Sequence, residues 1–313
     1  MAALRILITG VSGFVGSHLV PILQERLPQA QLYPATADVT DAKAVEEEIA
    51  GVRPDRCVHL AAISAIGDAS QNPDRSWAIN LNGTLNIARA ILAHVPRCAL
   101  IFASSADAYG ASFRSGQPLS EAAPLAPVNT YSATKAAADL ALGAMANEGL
   151  RAIRVRPFTH TGPGQSGDFV VVAFARQVAR VAAGLQEPLL RVGTLDTRRD
   201  FLDVRDVCAG YAMCVARADE LEPGIIINLA SGAPRRIGDV LQTLCRQAGV
   251  APRIETDPAR LRASEIPLTW GDASRARTLL GWAPRVPWDD TLRSVLVDWQ
   301  QRILSEQPAS TGR

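Results

Sequence analysis

The sequence predicts an α/β fold: a doubly wound parallel sheet followed by a smaller mixed α/β C-terminal lobe. Short aliphatic runs alternate with helical segments through the first half, a glycine-rich turn follows the first of those runs, and the alternation breaks down after about residue 160.

Strands are expected at 4–9, 31–35, 56–61, 98–104 and 150–157, where β-branched and aliphatic residues cluster. Between them, 14–27, 41–50, 73–94 and 129–148 have helical spacing and length, each starting near a polar or proline cap. Pro21 falls inside the first helix, where it should remove one backbone hydrogen bond and bend the axis. Beyond the break, a Gly/Pro loop at 161–168 precedes helices at 169–184, 204–217, 237–247 and 288–302 and strands at 189–193 and 225–230. These elements divide the chain into a first domain over 1–160, to which segments near 194–230 return, and a second lobe over 161–304. The small polar residues 305–313 form a frayed tail.

Composition narrows the function. The 313 residues are 48% hydrophobic, enough for a large core, and 32 Lys and Arg against 31 Asp and Glu leave no electrostatic footprint for nucleic acid or an anionic membrane. No apolar run approaches the ~20 residues of a membrane-spanning helix. The N-terminal apolar run stops at Gly10 in a turn, so it reads as a strand rather than a secretory leader. Five scattered cysteines suggest buried thiols in a reducing compartment, with neither a disulfide framework nor a metal site. A cytoplasmic location is the expectation.

The segment Thr9-Gly10-Val11-Ser12-Gly13-Phe14-Val15-Gly16 sits between a strand and a helix, the context of a dinucleotide fingerprint. Gly10 permits the tight turn, Gly13 lets the backbone approach a pyrophosphate, Gly16 lets helix and strand pack, and the helix N-terminus supplies N–H groups. The alternative is an ordinary flexible turn. The second strand ends in Tyr33-Pro34-Ala35-Thr36, with neither an acid for a ribose hydroxyl nor an arginine for its phosphate, so NADPH and NADH both remain open.

Tyr131 and Lys135 stand four apart at the start of a predicted helix, hence on one face, and Ser105 ends the 98–104 strand at the sheet's carboxyl edge. Spacing alone also fits a solvated pair. Together the three suit ketone reduction, because the alkoxide formed by hydride needs a proton and a tyrosine supplies one when adjacent positive charge stabilises its phenolate.

The GxxGxxG spacing, His59-Leu60-Ala61-Ala62, Asn80-Leu81-Asn82-Gly83-Thr84 and Ser104-Ser105-Ala106-Asp107-Ala108-Tyr109-Gly110 resemble the extended short-chain dehydrogenase/reductase family. The resemblance implies a Rossmann-like sheet and the catalytic residues Ser105, Tyr131 and Lys135. It further implies cofactor contacts from Gly10, Gly13, Phe14, Val15, Gly16, Asp38, Val39, Leu60, Ala61, Ala62, Asn80, Tyr131, Lys135 and Pro157. The HLAA and Asn80 segments would also be explained by core packing, and Asp38 by a cap on the helix beginning near Asp41.

Three later stretches, Arg156 to Gln165, Arg199 to Asp206 and Asp257 to Glu265, are similar to the bacterial reductases of GDP-4-keto-6-deoxy-D-mannose. The implied activity is NADPH- or NADH-dependent reduction of the C4 ketone of that GDP-linked 4-keto-6-deoxy sugar, with GDP-D-rhamnose the foremost product. Arg199 and Arg262 would hold the diphosphate, where a bidentate guanidinium suits phosphate geometry. Ser64, Ser105, Asp107, Thr159, Val170 and Glu265 complete the implied substrate site. Many relatives carry an asparagine in place of Thr159, whose hydroxyl replaces only part of an amide. Arg199 and Arg262 would alternatively form surface ion pairs with Asp200 or Glu265.

Related dehydratases place an acidic pair or a glutamate beside the catalytic hydroxyl, whereas this chain has Ala106 and Asp107, the latter alternatively a turn cap. An epimerase or dehydratase remains an alternative, as does a cofactor-sensing protein without turnover. The family further implies a homodimer through a four-helix contact using 73–94 and 129–148. The second of these carries Ala136, Ala137, Ala138, Ala141, Gly143 and Ala144, which would alternatively pack only on the sheet.

Overall fold

The computed structural model describes residues 3–261 and 266–306. The first half runs β1 (Arg5–Thr9), α1 (Phe14–Arg26), β2 (Gln31–Pro34), α2 (Ala42–Val52), β3 (Arg56–His59), α3 (Ile66–Gln71), α4 (Pro73–Trp77), α5 (Thr84–His94), β4 (Ala99–Ala103), α6 (Thr130–Ala146) and β5 (Arg151–Pro157). The second runs β6 (Thr159–Thr161), α7 (Val170–Ala182), β7 (Leu189–Val192), β8 (Arg198–Asp203), α8 (Val204–Ala216), β9 (Ile225–Leu229), β10 (Pro234–Arg236), α9 (Ile237–Ala248), β11 (Arg253–Thr256), β12 (Leu268–Thr269), α10 (Ser274–Leu280) and α11 (Trp288–Glu306).

Six strands form one parallel sheet in the order β2-β1-β3-β4-β5-β9. Successive side chains alternate between its faces, and both faces of its inner strands are covered, so β1 and β4 read as nearly continuous apolar runs. Ile6, Ile8, Val58, Ile101, Val155 and Ile227 pack with α1 and α8, while Leu7, Cys57, Leu100 and Ala152 pack with α2, α5 and α6. A separate hydrophobic core is formed by α7, α9, α11 and β7. β8 stands outside the large sheet, pairing antiparallel with β10 and parallel with β6 and β12. Among the described residues no helix is long and apolar enough to cross a membrane.

The structure departs from expectation at two places. The helix expected over 73–94 is broken into α4, a π-type turn at Ala78–Gly83, and α5. At that turn a Cβ on Gly83 would lie 2.7 Å from Val39 Cγ2, so the chain passes too close to the loop after β2 for a side chain. As expected, α1 runs through Pro21, which lies on its exposed side. The short strands β6, β8 and β10 to β12 escaped detection because two to six residues carry too little periodicity.

Candidate active site

The glycine turn separates two demands on backbone. Gly10 has φ of 69°, and a Cβ there would meet Ala61 N at 2.8 Å; at Gly16 it would meet Gly10 O at 2.3 Å. Gly13 faces only Gly10 O, at 3.2 Å. α1 then starts with no side-chain cap and no acid in its first turn, which presents the N–H groups around Phe14 and Val15 to an anion. This cradle fits a dinucleotide pyrophosphate. Leu60 and Ala61 are fixed beside it by N–H bonds of 3.1 Å each to Thr9 Oγ1, and Ala62 follows in the same loop.

Asp38 does not cap α2, because its carboxylate accepts from Thr40 N and Thr40 Oγ1 at 2.9 and 2.8 Å; Asp41 caps the helix instead. Val39 is buried beneath the Gly83 turn, Asn80 is fully buried within that turn, and Pro157 ends β5. Glu48, which sequence reasoning missed, reaches back from α2 to accept from Thr36 N at 2.6 Å and Thr36 Oγ1 at 2.9 Å at the end of β2.

The three polar residues of the expected catalytic group come together. β4 delivers Ser105, whose Oγ accepts from Asp107 N at 3.1 Å and so starts the 3-10 stretch Ala106–Ser115. A capping box between Asn129 and Ser132 starts α6 and sets Tyr131 in its first turn. Tyr131 and Lys135 are 8% and 3% exposed. Burial raises the Tyr131 pKa and the Asp107 charge raises it further, while a hydrogen bond with the Ser105 side chain opposes them. Burial lowers the Lys135 ammonium to about 8, partly countered by Asp139. Its Nζ donates to Ala103 O at 2.7 Å and lies 5.0 Å from the Phe102 ring centre. Such a group can hold a carbonyl oxygen, donate a proton to it and stabilise the resulting phenolate.

The expected substrate residues are distributed over several elements. Ser64 is exposed in the loop between β3 and α3, Thr159 opens β6 opposite Phe201, and Val170 is the first residue of α7. Arg199 lies on β8 and donates from Nη1 to Arg198 O at 2.9 Å. Its neighbour Asp200 accepts from Ser231 N, Ser231 Oγ, Gly232 N and Gly271 N, which makes it a buckle between loops. Arg262 and Glu265 lie outside the described residues.

Comparison with known proteins adds a family. The model of the GDP-mannose 4,6 dehydratase family matches residues 24–295. A GDP-6-deoxy-D-mannose reductase of Pseudomonas aeruginosa is 36% identical over 305 residues, spanning 96% of this chain and 99% of that protein. A GDP-6-deoxy-D-talose 4-dehydrogenase of Aggregatibacter actinomycetemcomitans is 29% identical over 284 residues, 89% of this chain and 92% of that protein. The solved structure of RMD from Pseudomonas aeruginosa complexed with NADPH matches with a TM-score of 0.86 at 34% identity, covering 96% of this chain and 98% of that one.

Proposed function

The chain belongs to the GDP-mannose 4,6-dehydratase family, and on that premise we propose that it reduces the C4 ketone of GDP-4-keto-6-deoxy-D-mannose to GDP-6-deoxy-D-mannose, that is, GDP-D-rhamnose. A reduced nicotinamide dinucleotide, NADPH or NADH, supplies the hydride when bound in the glycine cradle. Ser105 orients the carbonyl oxygen, Tyr131 gives it a proton, and the Lys135 ammonium stabilises the phenolate left behind. Arg199 and Arg262 take the diphosphate.

The observation that carries reduction over dehydration is the short carboxylate of Asp107, flanked by Ala106 and Ala108, acting on Tyr131. Elimination across C5 and C6 needs both a base for the C5 proton and an acid for the departing hydroxyl, whereas ketone reduction needs neither. Purified protein with the GDP-linked keto sugar and NADPH or NADH should consume one reduced nucleotide per product, identified by NMR. Formation of a keto sugar from GDP-mannose and oxidised nucleotide would overturn the assignment.

The same reading includes a homodimer. α5 and α6 leave a groove lined by Leu85, Leu92, Ala141, Ala144 and Met145 together with the charged Arg89 and Glu148, and Leu140 on α6 is 59% exposed, a largely apolar face suited to the same two helices of a second copy. A monomeric mass at micromolar concentration would refute it. The buried thiols of Cys57, Cys98, Cys208 and Cys214 support a cytoplasmic location.

A further inference from the structure

His59 ends β3, is 1% exposed, and takes no part in the chemistry proposed above. Its ring nitrogens face two threonine hydroxyls: Thr9 Oγ1 lies 2.8 Å from Nδ1, and Thr84 Oγ1 lies 3.0 Å from Nε2. The surrounding bonds assign the hydrogens. Thr9 Oγ1 already accepts the Leu60 and Ala61 N–H groups, which fills its lone pairs, so its own hydrogen goes to Nδ1. Nδ1 is therefore the acceptor, and the ring proton sits on Nε2 and is donated to Thr84 Oγ1. Thr84 in turn donates to the Asn80 carbonyl at 2.7 Å.

The chain continues through Asn80. Its side chain brackets Ile63, accepting from N at 2.8 Å and donating to O at 3.0 Å, and also donates to Thr134 Oγ1 at 3.0 Å. Thr134 donates to the Tyr131 carbonyl at 2.8 Å. Every hydrogen has one acceptor, and the bonds run from the end of β1 to the first turn of α6. Only a neutral imidazole offers an acceptor on one side and a donor on the other in this narrow, buried space. Burial and the Lys135 ammonium push the His59 pKa down to about 3, and its ring packs 5.9 Å from that of Phe102.

We infer that His59 is a positioning residue that, as the neutral Nε2-protonated tautomer, holds the cofactor-binding turn and the loop after β3 in register with the helix carrying Tyr131. The inference rests on the reading of the glycine turn as a cofactor cradle.

Two measurements test it. Long-range proton–nitrogen NMR of the four histidines should show His59 as the Nε2–H tautomer, without titration between about pH 5 and 8. An Nδ1–H tautomer or a titrating ring overturns the inference. The second measurement is a double-mutant cycle on the Kd of NADPH or NADH, by nucleotide fluorescence without sugar. Thr9→Val and Thr84→Val should each weaken binding about 10-fold, and the double variant also about 10-fold rather than about 100-fold, because a chain broken once is already broken. Thr84→Ser, which keeps the hydroxyl, should restore affinity. Folded single variants with unchanged Kd, or multiplying effects in the double, overturn it. A native chain that bound no nicotinamide nucleotide would refute the proposed function, while the tautomer would still be decided by NMR.

Discussion

Asp139 lies one helical turn beyond Lys135 and grips Arg156 of β5 through two hydrogen bonds, 2.9 Å to Nε and 2.7 Å to Nη2, with both side chains almost wholly buried. The same carboxylate accepts from Ser104 Oγ at 2.6 Å, and Arg154 is its second cation at 3.1 Å. One buried charge thus ties the helix bearing Tyr131 and Lys135 to β5 and to Ser104, next to Ser105 just after β4. Asp139→Asn leaves two arginines beside Lys135 without their counter-charge, and the expected loss of stability is about 3–5 kcal/mol by denaturant titration. Burial alone would raise the Asp139 pKa, but Arg156, Ser104 and Arg154 outweigh it and hold it low. The stabilisation is therefore complete above the usual carboxylate range and is lost as pH falls through the lowered value. A loss below about 1 kcal/mol in the variant would show that the pair is dispensable.

Tyr131→Phe should fold and bind nucleotide normally while turnover falls at least about 100-fold, the range for a missing general acid. A variant turning over at the native rate would place the proton elsewhere.

Lys135 gives opposite pH trends in activity and stability. Its folded pKa, about 8, lies below the ordinary 10.5, so between those values the unfolded chain binds more protons and stability rises with pH. Over the same window the charge that stabilises the phenolate is lost, so kcat/KM for reduction should decline above about pH 8. Comparing unfolding free energies with Lys135→Met isolates the first trend. A kcat/KM profile flat to pH 10 would contradict the second.

Gly13 and Gly16 should fail in different ways. Gly13→Val meets little protein, so it should fold but lose nucleotide binding; Gly16→Val drives a side chain into Gly10 O and Val11 and should lower Tm strongly. Equal effects of the two on Tm would show that the turn has no space reserved for a ligand.

The large sheet was legible because its inner strands are buried on both faces and punctuated by glycine and proline. The positions of Ser105 after β4 and of Tyr131 and Lys135 on one helix were legible too, but spacing alone also fits a solvated pair, and only the family resemblance pointed to their roles. Asp139 was not, since an acid four residues after a lysine reads as a solvated helix pair until Arg156 is seen across the sheet. Glu48 was hidden likewise: its partner Thr36 is twelve residues back, and nothing periodic links them. Tyr109 belonged to a serine motif by sequence, yet its hydroxyl donates to Asn228 at 2.8 Å, a partner 119 residues away.

That β9 closes the edge of β5, and α8 covers α1, bears on synthesis. A nascent chain that has emerged only to residue 160 holds the glycine turn and Tyr131 but has an open strand edge and an uncovered apolar face. The sheet cannot be completed until residues past 225 leave the ribosome, so early folding intermediates are exposed to edge-to-edge association. Truncation near residue 160 should accordingly give insoluble protein rather than an isolated nucleotide-binding half.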